Sequence, residues 1–178
     1  GMPEDLAQQL PYMKKIITAM GITIIEKEGF EADDIIGTVS AACADKKIPC
    51  TVSTGDRDSF QLVNDYVTVR LAKTKGDIYY TPDVIMEENG VTPKQMIEVK
   101  ALMGDSSDNI PGVAGIGEKT ALSLIKEFAS VDGVYENIGS TLITKGVRTK
   151  LENGKESCYM SRQLAEICLT APIDTELS

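Results

Sequence analysis

The sequence predicts an α/β layer built on parallel strands, followed by an all-α lobe. Two features carry that expectation. Up to Tyr80, short β-branched runs alternate with helical stretches, the pattern of strands covered by helices. From Pro82 onward the texture is helix after helix. The expected organisation is therefore residues 1–81 as the α/β part and 82–178 as the helical lobe. A length of 178 residues with 42% hydrophobic content suits one sizeable core, or a compact core with a smaller lobe.

Residues 5–20 place Leu6, Leu10, Met13, Ile16, Ile17 and Met20 on one helical stripe, with Pro11 as a kink or a late start. Gly21 ends that helix, and Ile22-Thr23-Ile24-Ile25 reads as a buried strand. Residues 31–45 form a second helix, with Ile35, Ile36, Val39 and Cys43 facing inward. Residues 50–54 make a strand that stops at Gly55. Residues 66–71 and 78–80 flank Lys75-Gly76-Asp77 as a hairpin turning at Gly76-Asp77. Helices follow at 82–88 and 93–103, each with proline in the first turn, where its missing N–H costs nothing. Residues 118–128, 131–138 and one long helical stretch over 141–169 complete the lobe. There is no internal repeat or low-complexity segment.

Composition removes several chemistries. There is no histidine, which excludes Ser-His, Cys-His and histidine-base mechanisms. The four cysteines, Cys43, Cys50, Cys158 and Cys168, sit in apolar surroundings without a C-x-x-C pair, so they read as small hydrophobes and no zinc site is expected. A reduced, cytoplasmic protein is expected. No run of about 18 apolar residues marks a membrane span, and the first residues lack the basic start and apolar stretch of a signal peptide. The net charge of −9 argues against attraction of nucleic acid to the whole surface. It leaves room for a local basic strip, and for acids gathered to hold cations.

Three segments concentrate acids. Glu31-Ala32-Asp33-Asp34 opens a helix, where acids also serve as caps. Thr54-Gly55-Asp56-Arg57-Asp58 follows a strand, at the rim where α/β folds place their sites. In the blander reading Asp58 caps the short turn toward Leu62. The Thr-Gly-Asp string also occurs in haloacid-dehalogenase enzymes, but no Asp-x-Asp nucleophile precedes it here. Gly104-Asp105-Ser106-Ser107-Asp108-Asn109 follows a helix and doubles as a polar turn. Singly, each segment is ordinary. Converging, Glu31, Asp33, Asp34, Asp56, Asp58, Asp105 and Asp108 would repel, each close pair by about 4 kcal/mol at about 4 Å and an effective dielectric near 20. Cations must neutralise such a cluster, and all-oxygen ligands select hard ions, Mg²⁺ or Mn²⁺. Two such ions would suit phosphodiester hydrolysis.

The sharpest motif is Val113-Ala114-Gly115-Ile116-Gly117-Glu118-Lys119-Thr120-Ala121, a helix-hairpin-helix signature. Gly115 and Gly117 allow a tight turn with bare backbone N–H groups at a helix start, which suits a phosphate. Lys119 and Lys126 add charge, and Thr120 can donate a hydroxyl. Such a site reads the nucleic-acid backbone, not the bases. A dinucleotide-binding loop would need a third glycine and a preceding strand. A purely structural turn is the other reading.

Taken in order, Gly29-Phe30-Glu31-Ala32-Asp33-Asp34, Thr54-Gly55-Asp56-Arg57-Asp58, Leu102-Met103-Gly104-Asp105-Ser106-Ser107-Asp108-Asn109-Ile110-Pro111-Gly112 and the hairpin resemble the 5′ nuclease domain of bacterial DNA polymerase I. The resemblance covers nearly the whole sequence. It implies a PIN-like α/β core with a helical lobe, shared with flap endonucleases. It also implies two Mg²⁺ or Mn²⁺ ions and action on 5′ flaps, nicked duplex and RNA primer–DNA junctions in repair and replication in the bacterial nucleoid. Glu31 and Asp33 would belong to a first metal site with Asp34 adjacent. Asp56, Asp58, Asp105 and Asp108 would serve a second. Gly115, Gly117, Lys119 and Thr120 would grip DNA, around a bound K⁺ ion, and a polymerase domain would follow.

The family also carries, ahead of the segment matching Glu31-Ala32-Asp33-Asp34, a first strand ending in aspartate, a further metal aspartate and a basic helical arch. None has a counterpart in this sequence. The resemblance thus implies an N-terminally truncated member with a partial first metal site and little nuclease activity of its own. A non-catalytic module that binds DNA backbone, an RNase of the wider PIN-like group and a stand-alone 5′–3′ exonuclease stay open as alternatives.

Overall fold

The computed structural model describes residues 3–72 and 76–176, so Lys75 of the expected hairpin turn lies outside the described residues. The chain opens with α1 (Glu4–Ala19), which forms over the expected stripe with Pro11 inside it. None of its residues is buried. A helix of this length with no covered face is only marginally stable in water, so α1 adds little to the core. Residues 22–25 carry no regular structure, contrary to the expected strand, and Ile22, Ile24 and Ile25 are exposed. Their side chains fit a strand, but a strand needs a neighbour for its backbone N–H and C=O groups. No described strand lies beside them.

Next come α2 (Ala32–Asp45), β1 (Cys50–Thr54), a short 3-10 helix (Arg57–Leu62), β2 (Val67–Leu71) and β3 (Ile78–Tyr80). The sheet order is β1-β2-β3, with β1 parallel to β2 and β2 antiparallel to β3 as the hairpin requires. The β1–β2 crossover spans about a dozen residues, near the minimum for a parallel pair, and the 3-10 helix fills it. Val67, Val69 and Leu71 alternate inward along β2. They meet Phe60 and Tyr80, whose ring centroids lie 4.2 Å apart.

The buried face of α2 is Gly37, Thr38, Ser40 and Cys43, while Ile35 and Val39 are only partly covered. The cause is the C-terminal segment, which lies on this face. A Cβ on Gly37 would stand 2.6 Å from Ile167. The Ala171 N–H donates to the Thr38 hydroxyl at 2.9 Å.

The helical part comprises α3 (Pro82–Asn89), α4 (Gln95–Met103), α5 (Glu118–Phe128), α6 (Val131–Glu136), α7 (Lys145–Asn153) and α8 (Lys155–Ala165). Two expectations needed correction. Pro93 lies in a turn and not in α4, because Thr92 and Gln95 bond each other's backbone there and the helix begins after them. The single helix expected over 141–169 is broken at Gly154, where a Cβ would stand 2.9 Å from Val113. One core cluster gathers α4, α5, α6 and α8 around Leu102, Ile125, Val134 and Cys158. A second surrounds the sheet, and Ile85 of α3 and Ile167 beyond α8 belong to it.

Candidate metal centre and DNA-binding hairpin

Local hydrogen bonds fix each acidic segment. At the carboxyl end of β1, the Asp56 N–H donates to the Thr54 hydroxyl at 3.0 Å. Asp56 in turn accepts the Asp58 N–H at 2.9 Å and caps the 3-10 helix. The capping acid is therefore Asp56, which leaves the Asp58 side chain free to point elsewhere. At the start of α2, Asp34 accepts the Glu31 N–H at 3.1 Å and the Cys168 N–H at 3.0 Å. Both of its oxygens thus hold backbone, tying the helix start to the C-terminal segment.

The third segment is pinned more tightly. Asp105 and Ile110 exchange two backbone hydrogen bonds of 2.8 Å each. Gly104 has φ +73, and a Cβ there would stand 2.7 Å from the Ile110 carbonyl. Only glycine fits this return. From α8, the buried Ser161 hydroxyl accepts the Gly112 N–H at 2.9 Å, and Ser157 donates to the Gly112 carbonyl at 2.7 Å. The loop carrying Asp105 and Asp108 is thereby locked to the helical core.

These constraints bring the acids together. Glu31, Asp33, Asp34, Asp56, Asp58 and Asp108 line one cleft of about 300 Å³, with Lys100, Ile110 and Glu166 among its other walls. Asp58, Asp105 and Asp108 each offer an oxygen within 4.8 Å of the others. At their centre stands the Lys100 ammonium, bonded to Asp58, to Asp108 at 2.8 Å and to Asp105 at 3.1 Å. Lys100 and Glu166 were not anticipated from sequence. A lysine in the apolar helical string Glu98-Val99-Lys100-Ala101-Leu102 reads as an ordinary surface charge, but it is buried. Its spacing of five and eight residues before Asp105 and Asp108 was the only available signal.

Ionisation in the cleft reflects crowding. Burial, and then the charges of Asp56, Glu31, Asp34 and Asp108, raise Asp33 above the ordinary carboxylate value. Burial also raises Asp58, against the opposing hydrogen bond from Lys100. Asp105 is drawn down to about 2, first by the Ser107 hydroxyl and then by Lys100. Burial disfavours the charged form of Lys100, but its bonds to Asp108, Asp58 and Asp105 prevail and hold it protonated well above the usual lysine range. One ammonium against three carboxylates leaves this group anionic. Oxygen donors with surplus negative charge and no nitrogen or sulfur ligand fit a hard divalent cation.

The hairpin stands apart from the cleft. Val113 and Ile116 are buried and anchor it, while Gly115, Gly117 and Lys119 are exposed and Thr120 is partly covered. Gly115 has φ +78, and its carbonyl accepts the Lys150 ammonium at 2.9 Å. Gly117 caps α5, and the space around its Cα is open. Its carbonyl accepts the Thr120 and Ala121 N–H groups at 3.0 Å each, which leaves the Glu118 and Lys119 N–H groups at the head of the helix. Lys126 lies over Gly90, two turns down α5 from the hairpin.

The same fold occurs in solved structures. A bacteriophage T5 5′-exonuclease with bound divalent metal ions (zinc) superposes with a TM-score of 0.78 at 24% identity, covering 94% of this chain and 63% of that one. A bacteriophage T5 flap endonuclease, solved as a pseudo-enzyme–product complex with DNA and metal ions, gives 0.72 at 25% identity, covering 95% and 62%. The class is thus the 5′ nuclease fold. More narrowly, residues 1–90 match the 5′–3′ exonuclease N-terminal resolvase-like domain, and residues 91–178 match the 5′–3′ exonuclease C-terminal SAM fold. The chain belongs to the 5′–3′ exonuclease family. It is 41% identical to DNA polymerase I of Caldicellulosiruptor bescii over 99% of its length, which is 21% of that protein. It is 45% identical to a 5′–3′ exonuclease of Bacillus subtilis over 96% of its length, or 57% of that protein. The chain therefore spans about a fifth of the polymerase relatives. No described helix is long and apolar enough to cross a membrane.

Proposed function

We propose that this chain forms part of a 5′ nuclease that hydrolyses DNA phosphodiester bonds, with Mg²⁺ or Mn²⁺ held by its converging carboxylates. The observation that carries this reading is the trio Asp58, Asp105 and Asp108, drawn from two separate segments to within 4.8 Å. Asp56 would join the trio in one metal site, and Glu31 and Asp33 would contribute to another across the cleft. Bound there, the ions would supply an activated water and stabilise the leaving oxygen of a phosphodiester. The protein's own share is placement. Asp34 fixes the start of α2 and so the positions of Glu31 and Asp33. The Asp105–Ile110 bridge fixes Asp105 and Asp108. Gly115, Gly117, Lys119 and Thr120 hold the phosphates of a duplex. The substrates proposed are 5′ flaps, nicked duplex and RNA primer–DNA junctions in the bacterial cytoplasm, with a polymerase domain elsewhere in the parent protein.

Calorimetric titration with Mn²⁺ tests the metal centre. Saturable binding that is weakened in both Asp58→Asn and Asp108→Asn is expected, and a chain that takes up no Mn²⁺ refutes the reading. For the hairpin, Gly117→Asp should abolish duplex binding at low salt, because a carboxylate would face the phosphate. Unchanged binding would mean that the hairpin is only a structural turn.

A further inference from the structure

The Lys100 side chain is 10% exposed, and its ammonium has three N–H donors facing three carboxylate oxygens. Asp58 comes from the 3-10 helix, and Asp105 and Asp108 from the loop after α4. The contacted atom is Oδ2 in each case, so the ammonium sits where the two segments meet, hydrogen-bonded to Asp58 and Asp108 and ion-paired with Asp105. A Mg²⁺ ion draws its oxygens to about 2.0–2.1 Å. Oxygens gathered to that distance leave no room for an ammonium on the same atoms, and the two cations repel. The lysine also has somewhere to go. Beside the trio lies a second cavity of about 210 Å³, lined by Lys100, Asp58 and Asp105 together with Gln61, Asn89 and Met96. A flexible four-carbon stem can swing into such a space, which a rigid group could not.

We propose that Lys100 is a built-in cation that a divalent ion displaces from Asp58, Asp105 and Asp108, so that the lysine sets how tightly this half of the cleft takes metal. This inference rests on the metal-centre reading above. In the metal-free protein Lys100 offsets repulsion among the three acids and keeps their segments in register. On loading, the ion takes over that task and the ammonium moves toward the neighbouring cavity. Lys100 is thus a positioning residue, and its effect is on metal affinity.

The test compares Mn²⁺ affinity of the unaltered chain and of Lys100→Met by calorimetry, with thermal unfolding in EDTA and in Mn²⁺. The variant should bind Mn²⁺ more tightly, by about tenfold or more, because the competing charge is gone. It should melt earlier than the unaltered chain in EDTA and gain more from Mn²⁺. Equal or weaker affinity in the variant overturns the assignment. If Lys100→Met does not fold without metal, the unaltered chain still decides the matter. The side-chain ammonium N–H resonance of Lys100, protected in EDTA, should shift or broaden at saturating Mg²⁺, and a resonance that stays put overturns the proposal. A chain that binds Mn²⁺ while its variant gains nothing removes the Lys100 role alone. If the unaltered chain shows no saturable Mn²⁺ binding, the metal centre itself falls, and this inference with it.

Discussion

Two clusters of acids in this molecule look alike in composition and differ in balance. In the helical part, Glu98 and Asp132 share Arg162 at 2.8 and 3.0 Å. Glu98 also accepts the Val131 N–H at 2.8 Å, and Asp132 accepts the Tyr159 hydroxyl at 2.8 Å. Each acid there has a partner, and the pKa of Asp132 is lowered, first by Tyr159 and then by Arg162. In the cleft, Lys100 serves three acids while Asp33, Asp56 and Glu31 crowd alongside, and Asp33 and Asp58 are raised. A matched cluster is what a fold builds to hold itself together. An unmatched one costs stability, and it makes sense where something else is to be bound.

The sharpest way to break this contrast is to unbalance the matched cluster. Arg162→Met leaves the buried Glu98 without its cation. Unfolding in urea should show a loss of about 2–3 kcal/mol, below the range for a fully buried pair because Arg162 is partly exposed. Mn²⁺ should not restore it. Rescue by Mn²⁺ would mean that both clusters are cation sites.

The opposite operation on the cleft should have the opposite sign. Asp33→Asn removes a charge that burial and four neighbouring acids oppose. The metal-free protein should gain about 0.5–1 kcal/mol in urea unfolding, the scale of relieving one adverse, partly screened charge. Mn²⁺ binding should weaken in the same variant. Destabilisation in EDTA would show that Asp33 is a structural acid after all.

A pH titration followed by carboxyl NMR resolves the contrast group by group. Asp33 and Asp58, raised in the folded state, should titrate above 3.8. They bind protons more readily folded than unfolded, so their contribution favours folding at low pH and is lost as pH rises from 3.8 through their folded values. Asp132, lowered from 3.8, does the reverse: its contribution is present above 3.8 and is lost as pH falls through its folded value. Asp105, which lines the neighbouring cavity rather than the cleft, is an exception among the acids around Lys100, expected near 2, because the Ser107 hydroxyl rather than the crowd governs it. Asp33 titrating below 3.8 would contradict the unmatched-cluster view.

How much of this was legible in the residues follows from range. Acids, glycines and the hairpin lie in contiguous strings, and local spacing sufficed to find them. The helices around them were found for the same reason, apart from their ends. What escaped depends on contacts distant in sequence. Lys100 meets Asp58 across 42 positions, and Glu166 enters the cleft only because the C-terminal segment folds back over α2. Distant Val113 leaves no room for a side chain at Gly154, where the helix breaks, although Asn153-Gly154 is itself a turn-forming pair that could have signalled the break. The strand expected over 22–25 failed in the other direction. Its residues have the right propensity, but pairing is not a property of the strand alone.

The finest probe of the comparison is Tyr159→Phe. It deletes one hydroxyl from the matched cluster and leaves Arg162 on both acids. The Tyr159 ring remains stacked on Tyr135, with centroids 5.6 Å apart, so packing should persist. Asp132 is 53% exposed, and water can replace the lost donor. The expected cost is therefore small, about 0.5 kcal/mol at most in urea unfolding. The carboxyl titration should still register it, with the Asp132 midpoint moving up toward 3.8, because its largest lowering influence has gone. An unchanged midpoint would assign the lowering to Arg162 alone, and the matched cluster would then rest on a single cation, as the cleft does on Lys100.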